Sequence, residues 1–244
     1  MSGLRKIRVI DTETTGLPEA GPVDLVEIGY TDMIEDMGGR LIVSGVPVSA
    51  LVRPTVPISF GAMAAHHITE AEAANGISQA DARAFIAGAD VYAAHNAAFD
   101  SAILAMDGRL PWICTFKCAK TAWPDLESHS NGAIRYARGL CLDTESAAMA
   151  QPSHRAGPDT WVTAAILADL SAIFTVDQMI EISANPVRLL RIGFGKHRGA
   201  RFSELPTDYL DWLVNKSDMK NDPKNEDAVH SARLELRDRF GGRP

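Results

Sequence analysis

Residues 7–17, Ile7-Arg8-Val9-Ile10-Asp11-Thr12-Glu13-Thr14-Thr15-Gly16-Leu17, constrain this chain more than any other stretch. An apolar β-branched run carries two acids one residue apart, and a Thr-Thr-Gly turn follows. Side chains i and i+2 of a strand share a face, so Asp11 and Glu13 project together from the end of a buried strand. Two adjacent carboxylates repel each other, which favours a shared proton or a bound cation. The pair is expected to be half of a divalent-metal site. A lone Asp-x-Glu is more often a solvated strand end, so the rest of the chain has to decide.

After this strand, Pro18 to Pro22 is turn-rich and 24–31 alternates as a second strand. Gly38-Gly39-Arg40 signals a hairpin, and 41–52 supplies a third strand interrupted near Pro47. These three make an antiparallel meander. Short helices follow: 59–66 with a serine cap, one opened by the Thr69-x-x-Glu72 capping-box spacing, and 78–87 ending at Gly88. Val91 to Ala94 is a short strand, and 101–106 continues as helix beyond the loop that holds Asp100. Trp112 to Thr115 is a brief strand, with helices at 116–122 and 132–138. Residues 151–158 read as a loop, and 159–174 carries the best helical periodicity in the chain. Strands first, then strands alternating with helices, predict an α/β domain around a mixed β-sheet flanked by helices, with a small C-terminal α-rich appendage. Thr175 to Pro186 reads as a short helix and a linker, and the domain boundaries are expected at 1–176, with a linker at 177–186 and a small basic C-terminal domain at 187–244.

The net charge of −7 is unevenly placed. Residues 1–175 hold 12 Lys and Arg against 20 Asp and Glu, whereas 176–244 hold 12 against 11. An acidic metal-binding domain beside a more basic one is compatible with a nuclease, since bound ions invert the local potential. In the tail, Arg188, Arg191, Lys196, Arg198 and Arg201 precede the first acid, Glu204, around the glycine-punctuated segment 193–199. This segment is not a P-loop and is read as a contact for nucleic acid, against the alternative of a hairpin with solvated charges. Tyr209, Trp212 and Leu213 have the helical spacing of core residues. No apolar run is long enough to span a membrane, and Met1 to Lys6 lacks a signal-peptide pattern, so a cytoplasmic protein is expected. Cys114, Cys118 and Cys141 are read as ordinary buried thiols rather than a disulfide framework or, with His129, a zinc site.

Three further residues bring the opening pair into a constellation. Asp100 lies between a strand and a helix, Asp159 opens the long helix, and His154 sits five residues before it. Singly, each acid reads as a helix cap or first-turn acid, and the histidine as surface decoration. Together, four carboxylates at element ends and one mobile histidine are what two-metal phosphodiester hydrolysis needs. Hard oxygen ligands suit Mg²⁺ or Mn²⁺, two such ions can clamp the attacking and leaving oxygens, and a histidine can take the proton of the attacking water.

Asp11-Thr12-Glu13-Thr14-Thr15-Gly16-Leu17, His95-Asn96-Ala97-Ala98-Phe99-Asp100 and His154-Arg155-Ala156-Gly157-Pro158-Asp159 resemble the three motifs of the DEDDh (DnaQ-like) family of 3′→5′ exonucleases. The segments 63–69, 112–115 and 194–199 are similar to the exodeoxyribonuclease X group within that family. The resemblance implies a ribonuclease H-like fold, two Mg²⁺ or Mn²⁺ ions, DNA 3′ ends as substrate, and a setting in DNA repair. It implies that Asp11, Glu13 and Asp159 ligate the first ion. Asp11 would bridge to the second, with Asp100 contributing directly or through water, and His154 would be the general base. It also implies that Leu17 wedges against the terminal bases, that Thr14 and Thr15 backbone amides hold the terminal nucleotide, and that His67 lies near the nucleotide path. For Leu17 and His67, plain packing or capping competes evenly. The alternatives are a 3′→5′ exoribonuclease, discriminated by contacts to the 2′-OH, and a proofreading-type exonuclease subunit of a DNA polymerase. An inactive nucleic-acid-binding module ranks last, because all five reactive residues are present.

Overall fold

The computed structural model describes residues 4–241 apart from 107 and 109; the first three residues of the N-terminal reading lie outside it. The chain runs β1 (Lys6–Thr14), β2 (Leu25–Glu35), β3 (Leu41–Val43), β4 (Val48–Leu51), α1 (Phe60–His66), α2 (Glu70–Ala73), α3 (Gln79–Phe85), β5 (Val91–Ala94) and α4 (Ala97–Ile103). It continues through β6 (Trp112–Cys114), α5 (Thr115–Ala122), α6 (Asn131–Ala137), α7 (Thr144–Met149), α8 (Ala156–Leu170), α9 (Val176–Ala184), α10 (Thr207–Asp211) and α11 (Glu226–Arg239). The sheet order is β3-β2-β1-β5-β6, with β4 also on β2. The β1–β2, β2–β3 and β2–β4 pairs are antiparallel, while β1–β5 and β5–β6 are parallel. This is the expected mixed sheet flanked by helices. The anticipated third strand is two short ones, β3 and β4, that pair with successive stretches of β2 because Pro47 and its neighbours break the run.

Alternation along β1 builds two cores. Ile7 and Val9 pack on one face with Val162, Ile166, Leu167 and Leu170 of α8. Ile10 packs on the other with Ala82 and Ile86. Asp11 and Glu13 continue the face of Ile7 and Val9, so they emerge where α8 begins. The approach of α8 to the sheet depends on Gly29 of β2. A Cβ there would lie 2.6 Å from the Ala156 carbonyl carbon, closer than packed atoms can come. Thr31 and Thr160, both buried, share a hydroxyl hydrogen bond of 2.9 Å across the same interface.

Several helix starts follow the sequence signals. Ser59, Ser78 and Ser130 cap α1, α3 and α6, and Thr69 with Glu72 forms the capping box of α2. Two starts differ. α8 begins at Ala156, so Asp159 lies one turn inside it instead of opening it. α4 begins at Ala97, which places Asp100 in a helix rather than in the loop before one. Residues 177–186 hold most of α9, the short helix expected there; its Met179 and the adjoining Val176 are buried in the β1–α8 core.

Residues beyond 187 gather around a separate apolar cluster of Ile192, Phe202, Leu205, Leu210, Leu213, Ala228 and Ala232. Leu213 is buried as expected, whereas Trp212 is 41% exposed, so that helix face is only partly core. Among the described residues, no helix is long and apolar enough to cross a membrane.

Candidate active site

β1 delivers Asp11 and Glu13 opposite Gly29 and Glu27 of β2, and the register shifts just after Glu13. α8 delivers Asp159. One carboxylate oxygen from each of Asp11, Glu13 and Asp159 lies within 4.8 Å of the others. All three are half-buried. Asp100 stands outside this trio but close to it, almost fully buried, its Oδ1 accepting a 2.8 Å hydrogen bond from Thr12 Oγ1. Thr12 points away from Asp11 along the strand, which is how β1 can touch acids from two different helices.

Crowding and burial act in the same direction on these groups. Burial, then the charges of Asp100, Asp159 and Glu13, holds the Asp11 carboxyl well above the usual range. Burial and the Asp159 and Glu27 charges push Glu13 up to about 8. Burial raises Asp100 to about 7, opposed by the hydrogen bond from Thr12. Burial also raises Asp159. Four acids that resist ionisation side by side are the donor set of a divalent cation: hard oxygens with no internal counter-charge among themselves. The residues therefore fit the ion that the motifs imply. Among the described residues this is the one group of carboxylate, histidine or cysteine side chains close enough to share a metal. The cysteines form no such group with His129, whose Nε2 instead meets the Trp123 carbonyl.

Both helices that carry a partner acid are entered through a left-handed residue: Asn96 (φ 73°) before α4 and His154 (φ 59°) before α8. Asn adopts this conformation readily, whereas His154 is held there at some cost, of order 1–3 kcal/mol for a non-glycine residue. Its backbone N–H donates to Asp159 Oδ2 at 2.9 Å, and its side chain is exposed. His154 is thus beside the acid cluster and open to solvent. His95, in the second motif, is different. Burial lowers its pKa to about 4, and its ring nitrogens meet Thr115 Oγ1 (2.9 Å) and the His129 carbonyl (2.8 Å). It is a neutral brace from the end of β5 to the start of α5 and the segment before α6.

Leu17 is 65% exposed and Phe60 87% exposed. Their segments adjoin, since Ser59 N–H donates to the Thr15 carbonyl (2.9 Å), so two apolar side chains stand unburied near the mouth of the site. The Thr15 N–H donates to the Asp24 carbonyl (3.0 Å). Thr14 turns its hydroxyl to the Gly16 carbonyl (2.8 Å) and shapes the turn below Leu17. His67 is exposed, and its backbone in left-handed conformation caps α1.

Glu27 and Arg155 complete the site and were not singled out in the sequence. Glu27 is buried. It accepts two hydrogen bonds from the Arg155 guanidinium (2.9 Å each) and one from the Ala156 N–H (2.9 Å). This clamp ties the first turn of α8, and with it His154 and Asp159, to β2 opposite Glu13. The signal was an acid inside an apolar strand, which needs a partner. Arg155→Met strands a buried carboxylate, and the loss should fall at the lower end of the ~3–5 kcal/mol typical of broken buried pairs because Arg155 is one-third exposed. Denaturant unfolding checks this, and the double substitution Glu27→Gln with Arg155→Met should recover part of the loss.

A mixed sheet whose central strand mounts an acid pair beneath two helix-borne acids and a histidine defines an exonuclease of the ribonuclease H-like class. The RNase_T family, described as an exonuclease, matches residues 9–167, and the chain belongs to that family. It is 39% identical over 218 residues to Exodeoxyribonuclease 10 of Escherichia coli (strain K12), covering 87% of this chain and 92% of that one. Among solved structures, it is similar to Exonuclease X in complex with 5′ overhanging duplex DNA, at 39% identity and a TM-score of 0.60, covering 72% of this chain and 99% of that one. The nuclease domain of 3′hExo, a DEDDh family member bound to rAMP, shares the fold at 15% identity and a TM-score of 0.53, covering 69% of this chain and 92% of that one.

Proposed function

We propose that this protein is a metal-dependent 3′→5′ exonuclease that hydrolyses DNA from its 3′ ends and releases mononucleotides. The observation that carries the reading is the trio Asp11, Glu13 and Asp159 within 4.8 Å, with Asp100 alongside and an exposed His154 bonded through its backbone to Asp159. The relatives named exodeoxyribonuclease and Exonuclease X support DNA as the substrate. Residues 1–176 would form the exonuclease domain and 187–244 a smaller basic one.

Asp11, Glu13 and Asp159 would hold one Mg²⁺ or Mn²⁺ ion, and Asp11 with Asp100 a second. Bound there, the two ions supply charge for the attacking and leaving oxygens of an in-line displacement. The chain itself does the positioning. β1 fixes Asp11 and Glu13, Thr12 orients Asp100, and the Glu27–Arg155 clamp sets the turn from which His154 and Asp159 project. His154 takes the proton from the attacking water, for which solvent access to its ring is a requirement. Leu17 and Phe60 give the terminal base an apolar surface, and such contacts tolerate any sequence, as an end-trimming enzyme requires. Buried Asp100 keeps its place through Thr12 rather than through solvent.

The test is digestion of a DNA strand labelled at its 5′ end, with Mg²⁺ or Mn²⁺, beside the same sequence in RNA, each single- and double-stranded. A ladder shortening one nucleotide at a time from the 3′ end, stopped by EDTA, is expected. Internal cuts, or products unaffected by EDTA, would sink the assignment, and faster digestion of RNA would transfer it to RNA trimming.

A further inference from the structure

The five cations that open the C-terminal segment are not equivalent in three dimensions. Arg188 pairs with Asp238 (2.7 Å) and Glu235 (3.6 Å), and Arg201 with Asp125 (3.3 Å). Lys196 lies over the Tyr209 ring, 5.5 Å from its centroid. Arg191 and Arg198 are left. Arg191 donates to the Gly199 carbonyl (2.9 Å), and neither has a carboxylate within ion-pair distance among the described residues. Both line a cleft of about 610 Å³ between this segment and the sheet domain, with Lys120 on the facing wall and Glu127 as the acid at its edge. Phe116, Leu126 and Ile192 give it an apolar part, beside the polar Ser128, His129 and Ser130. The volume lies within the roughly 300–1,000 Å³ of ligand-binding pockets.

The cleft and the acid cluster are joined by one stretch of chain. The C-terminal segment is fastened at the carboxyl ends of the parallel strands. Lys120, on the helix that follows β6, meets Asp227 (3.7 Å), and Lys224 pairs with Glu19 in the loop after β1. Open α/β sheets bind ligands at this edge. The sheet-domain wall of the cleft, Ser128-His129-Ser130, leads directly into Asn131, whose side-chain amide donates to the Asp159 carbonyl (3.2 Å). The His129 carbonyl meets His95, just ahead of the helix carrying Asp100. One hydrogen-bonded segment therefore forms both the cleft wall and part of the support for the acid cluster.

We propose that this cleft holds the sugar–phosphate backbone of the substrate DNA strand on the 5′ side of the reacting 3′ end, with Arg191 and Arg198 on its phosphates. The proposal rests on the reading of the acid cluster as a DNA 3′→5′ exonuclease site. Cations without acid partners beside an apolar floor match a backbone with sugars and base faces, and they hold it without regard to sequence. An enzyme that advances along a strand needs such a grip outside the reacting centre.

The test measures binding of a fluorescent single-stranded DNA oligonucleotide to the full chain, with Ca²⁺ replacing Mg²⁺, over a salt series. Arg191→Glu with Arg198→Glu should weaken binding about tenfold or more and lower the log–log salt slope by about two. Arg198→Glu alone, on an exposed side chain, should lower the slope by about one. Hydrolysis of the p-nitrophenyl ester of thymidine 5′-phosphate with Mg²⁺ should be unchanged in both variants, because this substrate does not extend beyond the acid cluster. Unchanged affinity and slope would overturn the proposal. So would loss of ester hydrolysis in step with strand binding, which would locate the effect at the acids. Failure of the unaltered chain to cleave either substrate would reject the exonuclease reading instead, and the binding comparison reads the cleft separately.

Discussion

Asp11→Asn should cut DNA hydrolysis by roughly 10³-fold or more, the scale of several kcal/mol of charge stabilisation supplied by bound ions, and should at the same time make the metal-free protein more heat-stable. The two effects have one cause. Asp11 is held well above its ordinary range because burial and four neighbouring carboxylates oppose its ionisation, and Glu13 is pushed from 4.5 to about 8 by burial and the same crowding. A group whose folded-state pKa is raised costs stability once the pH exceeds its unfolded value, and the full cost is reached above the folded value. For Glu13 that window runs from 4.5 to about 8. Metal-free protein should therefore lose thermal stability as pH rises through this window. Asp11→Asn removes the most crowded charge, so its melting temperature in EDTA should exceed that of the unaltered chain, by about 2–4 °C for each kcal/mol recovered. Scanning calorimetry at several pH values reads both the sign and the slope. Sites that give up stability for chemistry behave this way.

His154→Ala should lower turnover by ~10²–10⁴-fold, the range for loss of a general base, while metal affinity stays nearly unchanged. The geometry separates the two roles. His154 touches Asp159 through its backbone N–H, which alanine keeps, and the exposed residue is not one of the three whose carboxylate oxygens gather within 4.8 Å. Alanine tolerates the left-handed conformation at this position poorly, so Asn offers a second variant that keeps the turn. If His154→Asn loses turnover with KM and metal dependence intact, the defect is proton transfer. A parallel fall in metal affinity in both variants would make His154 a ligand.

Much of this arrangement could be read from residue order, for reasons that differ by element. The acid pair was legible because strand alternation is rigid: apolar Ile7 and Val9 announce which face Asp11 and Glu13 share. Serine and threonine caps announced their helices through local hydrogen bonding. The starts of α4 and α8 were misplaced because their signals are weak. Asn96 makes no side-chain cap bond, and Gly157-Pro158 read as loop although proline is tolerated in a first helical turn. A Cβ at Gly157 would meet the Ser49 side chain of β4 at an ordinary contact distance of 3.4 Å, so packing does not demand glycine there. The Glu27–Arg155 clamp joins residues 128 positions apart and exists only once β2 and α8 meet. The engagement of the Thr15 amide by Asp24 likewise depends on how the β1–β2 loop folds back.

The central claim is that Asp11, Glu13 and Asp159 are a divalent-metal centre, and titration of Mn²⁺ into the metal-free protein by calorimetry tests it most directly. Because these acids carry protons that the ion must displace, affinity should rise between about pH 6 and pH 8, with heats that depend on the buffer's ionisation enthalpy. Asp11→Asn should abolish the binding. Heats that are absent in the unaltered chain, or identical in Asp11→Asn, would contradict the account.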